Sequence, residues 1–119
     1  MTNYIDTDRL LKEFKGDEEI LVELCAAFLL EIPSSVAAIA AAVTSKDAKA
    51  LEFTAHTLKG AAANFQAPLI KDVCYELEKQ GRNNDLTASE TNFATLKPMM
   101  EGLTIEINAL ASQLKKGAQ

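Results

Sequence analysis

The sequence predicts an all-α domain, an antiparallel up-down-up-down four-helix bundle with a short additional N-terminal helix. Strand-like alternation never persists beyond a few residues, apolar residues recur at intervals of three and four throughout, and turn signals divide the chain into five pieces. With 119 residues and 48% hydrophobic content, a single domain over 1–119 can bury one core without disulfides or a metal.

The first helix is expected near Thr7 to Lys15, carrying Leu10, Leu11 and Phe14, with Gly16 placed to end it in a left-handed C′ conformation. Asp17 then caps the second helix, and Glu18 and Glu19 suit the positive end of its dipole. Its stripe of Leu21, Cys25, Phe28, Ile32, Val36, Ile39 and Val43 keeps phase across Pro33, which predicts one long kinked helix rather than two. Thr44-Ser45-Lys46-Asp47 breaks the pattern and supplies capping side chains for a third helix running to about Phe65. Gln66-Ala67-Pro68 makes a short connection, with Pro68 suited to the first turn of a fourth helix that bears Leu69, Ile70, Val73, Cys74 and Leu77 and ends at Gly81. After the polar loop Arg82-Asn83-Asn84-Asp85, Thr87-Ala88-Ser89-Glu90 has capping-box spacing. The fifth helix follows, with a seam of Phe93, Leu96, Met100, Leu103, Ile107, Leu110 and Leu114 whose phase crosses Pro98, and residues 115–119 are expected to fray.

A net charge of -5 without any Lys/Arg cluster argues against a nucleic-acid surface, which needs a basic stripe to replace counterions. No secretory leader pattern opens the chain, and the longest uninterrupted apolar run, Val36 to Val43, is too short to span a bilayer, so a cytoplasmic protein is expected. Cys25 and Cys74 fall on apolar stripes and read as buried hydrophobes in a reducing compartment. With one histidine and no CxxC or HExxH pattern, a metal site has no ligands to build from. Neither a P-loop nor a dinucleotide fingerprint is present, so ATP binding is not indicated and no intrinsic cofactor is expected.

The candidate for chemistry is His56. Taking about 100° per residue, Leu51, Ala55, Leu58, Ala62 and Phe65 share one direction and His56 points roughly 140° away from it. Gly60 follows one turn later, where an interior glycine costs about 1 kcal/mol relative to alanine. A missing side chain there leaves the imidazole open to a large, flat partner. The bland alternative, a helix C-terminus at Leu58-Lys59-Gly60, is weakened by the helix-forming Ala61-Ala62-Ala63 that follows. Lys59 lies on the same surface and offers a cation to a phosphoryl group on the ring. In a helical hairpin, residues equally far from the turn lie level. His56 and Glu78 are centred on Ala67, as are Lys59 and Tyr75, so Glu78 is expected to approach His56 or Lys59, orienting the imidazole; the alternative is a solvated rim carboxylate. A neutral imidazole can attack an activated phosphoryl group, while the absence of a general base beside it would let a phosphohistidine persist. Phe53, directed away from the main stripe, and Ala63 are candidate contacts for partner docking.

Ala55-His56-Thr57-Leu58-Lys59-Gly60, then Asn64-Phe65-Gln66-Ala67, Cys74 and Leu77-Glu78, together resemble the signature of histidine-containing phosphotransfer (HPt) domains. The likeness extends over nearly the whole chain, including Gly16-Asp17, Phe28-Leu29 and Pro33. It implies that His56 is phosphorylated, that Lys59 stabilises the phosphoryl group, and that Gly60 gives clearance for docking. It implies a phosphorelay carrier rather than an enzyme, with receiver domains of response regulators or hybrid histidine kinases as partners, each receiver supplying the Mg²⁺. A monomer is expected, and the Met1 start favours a free-standing carrier. Family members commonly have glycine where this chain has Gln66, and often serine at Ala61 or Ala62. The alternative from another class is a helical interaction module that binds receivers without being phosphorylated; a closed enzyme active site ranks third, for want of partners to a single outward histidine.

Overall fold

The computed structural model describes residues 3–117, and every regular element among them is helical. The helices are α1 (Thr7–Glu13), α2 (Glu18–Ser45), α3 (Ala48–Asn64), α4 (Pro68–Arg82) and α5 (Ser89–Gly117). Consecutive long helices pack against one another and α5 closes back on α2, so α2, α3, α4 and α5 form a four-membered ring about 49 Å long and 22 Å across. In that ring α3 and α5 are diagonal. The sequence stripes line its axis: Leu21, Cys25, Ile39, Leu51, Leu58, Ile70, Leu77, Leu96, Leu103 and Ile107 are almost wholly buried, and Phe28 stacks on Phe65 at 4.9 Å. Of the expected α2 stripe only Val36 is partly exposed.

Pro33 and Pro98 both sit inside their helices, α2 and α5, on exposed faces. There the backbone carbonyls they leave unpaired can reach water, which is why the apolar phase runs through unbroken. At the α2–α3 turn, Lys46 takes a left-handed conformation and the Asp47 carboxylate accepts the Ala50 N–H at 3.1 Å, as the polar break suggested. Helix α1 covers the end of the bundle at the α3–α4 turn. Leu10 is completely buried, the Asp6 N–H donates to the Gln66 carbonyl at 2.8 Å, and the Gln66 amide donates to Glu13 at 2.7 Å.

Several boundaries differ from expectation. Helix α1 ends at Glu13, and Gly16, at φ +89°, belongs to the following turn rather than to the C′ position. Asp17 is the N-cap residue of α2 but its side chain makes no capping bond. The Thr87 to Glu90 capping box does not form, because the Thr87 hydroxyl and N–H both donate to Asp85 while Ser89 donates to Gln80. Residues 115–117 continue α5 instead of fraying, and 118–119 lie outside the described residues.

Gly81 does not end α4, which continues to Arg82. A Cβ at that position would fall 2.5 Å from the Glu52 backbone nitrogen and 2.6 Å from the Ala48 carbonyl oxygen. Glycine is there so that the α4 backbone can touch the α3 backbone.

Helix α2 is also long and apolar enough, by length and composition, to cross a membrane: its best window has a mean hydropathy of 1.9 with 22% of it buried. The window averages across Glu31, Pro33, Ser34 and Ser35, which separate its apolar runs. The α2 stripe is packed against α3 and α5.

Candidate functional site

Helix α3 carries the site, and α4 completes it from the side. Because α3 continues to Asn64, His56, Lys59 and Gly60 all lie within one helix and the reading of Gly60 as a terminator is excluded. The His56 side chain is 65% exposed, whereas the Glu78 side chain, level with it on α4, is 4% exposed. Burying a carboxylate requires cations and donors around it. Glu78 has three: His56 Nδ1 lies 2.8 Å from Oε2, Arg82 Nη2 lies 2.9 Å from the same oxygen, and Lys59 Nζ lies 2.6 Å from Oε1. The Lys59 contact is an ion pair without hydrogen-bond alignment, and Oε1 has no other partner. Arg82 extends the network through Nε to Glu52 at 3.3 Å, one turn before His56 on α3.

Burial pushes the Glu78 carboxyl up, but Lys59 and then His56 more than offset this and hold it below the ordinary carboxylate range. Ionised Glu78 only accepts hydrogen bonds, so the proton of a neutral His56 ring resides on Nδ1 and the lone pair on Nε2. The site thus presents one nucleophilic nitrogen with its tautomer set from below. Lys59 is further located by the Tyr75 ring, 5.0 Å from its Nζ, and Lys79 sits on the same ring at 4.8 Å.

Around the ring the surface is open. No atom lies within 4 Å of where a Gly60 Cβ would project. Phe53 is 72% exposed and lines a cleft of about 460 Å³ with Lys49, Glu52, His56, Glu78 and Arg82. Ala63 is exposed two turns beyond His56 and borders a groove between α2 and α3 that includes Leu24, Phe28 and Phe65. Among the described residues no group of three or more His, Cys, Asp or Glu side chains could hold a metal ion. Both cysteines are free and buried; burial pushes Cys25 up and carries Cys74 to about 12, although Lys59 acts the other way on Cys74.

Glu78 meets both His56 and Lys59, Gly60 and Phe53 lie on the open surface around His56, and Ala63 borders a separate groove. Arg82 is the functional-site residue the sequence reading missed. It opens the polar run that reads as a loop after Gly81, yet its i, i+4 spacing from Glu78 is a usable signal once α4 reaches that far.

The site is thus a histidine on an open face of a helical bundle, set over a buried carboxylate. The chain belongs to the Hpt domain family, whose model matches residues 23–115. Members are phosphocarriers that take part in phosphorelays with receiver domains, and this chain is a histidine phosphotransfer protein. A solved structure described as histidine-containing phosphotransfer protein B from Pseudomonas aeruginosa PAO1 has the same fold, with a TM-score of 0.86 at 24% identity over 95% of this chain and 98% of that one. Comparison with curated proteins gives no match.

Proposed function

We propose that His56 is the residue through which this protein accepts a phosphoryl group from an aspartyl phosphate on one receiver domain and passes it to an aspartate on another. The observation that carries this reading is the Glu78 carboxylate 2.8 Å from Nδ1 beneath a ring whose side chain is 65% exposed. Nε2 attacks phosphorus as the bond to the aspartate oxygen breaks, and the aspartate leaves as a carboxylate. The ring keeps its Nδ1 proton and becomes cationic, and Glu78 stabilises that charge and holds the ring orientation. Lys59 neutralises the incoming phosphoryl oxygens, Gly60 gives clearance, and Phe53 and Ala63 contact the partner. Mg²⁺ comes with the receiver, and the chain contributes no cofactor and no ATP site of its own. It acts as a cytoplasmic monomer, with no nucleic-acid or membrane surface in use. Such a carrier needs positioning more than covalent machinery, because charge neutralisation at the receiver supplies much of the catalysis.

The test is transfer from magnesium-loaded, phosphorylated receiver domains to the wild-type protein and to His56→Gln. Acid-labile, base-stable label on the wild type alone is expected. Receiver binding without any label across a broad panel would instead identify a non-phosphorylated interaction module.

A further inference from the structure

We propose that Arg82 is a positioning residue for phosphoryl transfer: it keeps the buried Glu78 carboxylate charge-paired when Lys59 turns toward the phosphoryl group. This rests on the reading of His56 as the phosphorylated residue.

In the unphosphorylated protein the Lys59 ammonium is 2.6 Å from Glu78 Oε1, on the Nδ1 side of the imidazole. The cation available to a phosphoryl group on Nε2 is therefore already engaged. A carboxylate whose side chain is 4% exposed cannot release a cation without replacement, since an unpaired buried charge is strongly destabilising. Two replacements converge on the other oxygen. One is the His56 ring, which becomes cationic as the N–P bond forms and the P–O bond to the receiver aspartate breaks. The other is Arg82, whose Nη2 already lies 2.9 Å from Oε2. Its Nε is directed at Glu52 on α3, so a single planar fork ties α4 to the helix that bears His56. A lysine at 82 could carry the charge that the pairing needs, without making both contacts.

Without Arg82, Lys59 would be held on Glu78 and lost to the phosphoryl group. The two residues should then fail as a unit, a coupling that double-mutant cycles detect.

The experiment measures the rate of transfer at saturating receiver, together with the half-saturating receiver concentration. Magnesium-loaded receiver domains phosphorylated with acetyl phosphate serve as donors for wild type, His56→Gln, Lys59→Ala, Arg82→Gln, Arg82→Lys and the Lys59→Ala/Arg82→Gln double variant, each checked for helical content and Tm. Lys59→Ala and Arg82→Gln are each expected to slow transfer by roughly tenfold, the scale of a lost charge-assisted contact, with little change in the half-saturating concentration. The double variant should be no slower than either single variant, and Arg82→Lys should recover most of the rate. Arg82→Gln transferring at the wild-type rate, losses that multiply in the double variant, or a defect that Arg82→Lys does not relieve would each overturn the role of Arg82. An unlabelled wild type, or a labelled His56→Gln, would overturn the His56 reading itself and this proposal with it.

Discussion

Glu78 stabilises the protein only while it is ionised. Its folded-state pKa is depressed, so its contribution is complete above the unfolded carboxylate value of 4.5 and is lost as pH falls through the lower folded value. Glu78→Gln should cost about 1–3 kcal/mol in denaturant unfolding at pH 7, and the gap to wild type should be smaller at pH 3 than at pH 7. A gap of equal size at both pH values would show that packing, not charge, is what Glu78 supplies. At the α3–α4 turn, Gln66 takes φ 54°, where a side chain is crowded against the following carbonyl and a glycine would not be. Gln66→Gly should therefore stabilise the fold by roughly 0.5–1 kcal/mol in the same measurement, because the exposed Glu13 contact it removes is worth little. The His56–Glu78 pairing was legible because equal distance from Ala67 is a property of the sequence alone. The sharing of one oxygen between His56 and Arg82 was not, since it depends on rotamers and on how far α4 extends.

At the scale of the helix, Gly81 shows where local and tertiary signals compete. After an apolar stripe and before Arg82-Asn83-Asn84-Asp85, a glycine reads as a terminator. In the structure it is a point of contact between backbones, and nothing local in the sequence distinguishes the two roles. Gly81→Ala should force α4 away from α3 at a cost of about 1–3 kcal/mol. Because Glu78 lies one turn earlier on the same helix, the variant should also weaken its bond to His56, visible as a change in the imidazole ¹⁵N signals. A stable protein with unchanged His56 signals would show that α4 can rotate to absorb the methyl group. The long phases of α2 and α5 were readable through their prolines because a stripe of seven apolar positions outweighs one lost hydrogen bond. The α5 start was misread for the opposite reason: a local contact, the Thr87 hydroxyl donating to Asp85, engages the side chain expected to accept from the first N–H groups of the helix.

The whole bundle keeps its two thiols from chemistry. Cys25 and Cys74 are fully buried and burial raises both pKa values, so alkylation by iodoacetamide at pH 8 should be slower than for a free thiol by orders of magnitude and should rise to the free rate only on unfolding. Rapid labelling of the folded protein would reveal an opening of the core well below the global unfolding energy. The diagonal relation of α3 and α5 bears on how the molecule can be handled. A dye, bead or surface attached at exposed α5 positions such as Ile105 would sit on the side remote from His56. Immobilised that way, every copy turns its reactive ring toward the solution, and a receiver arriving from bulk meets the same unobstructed approach as it would with the free protein.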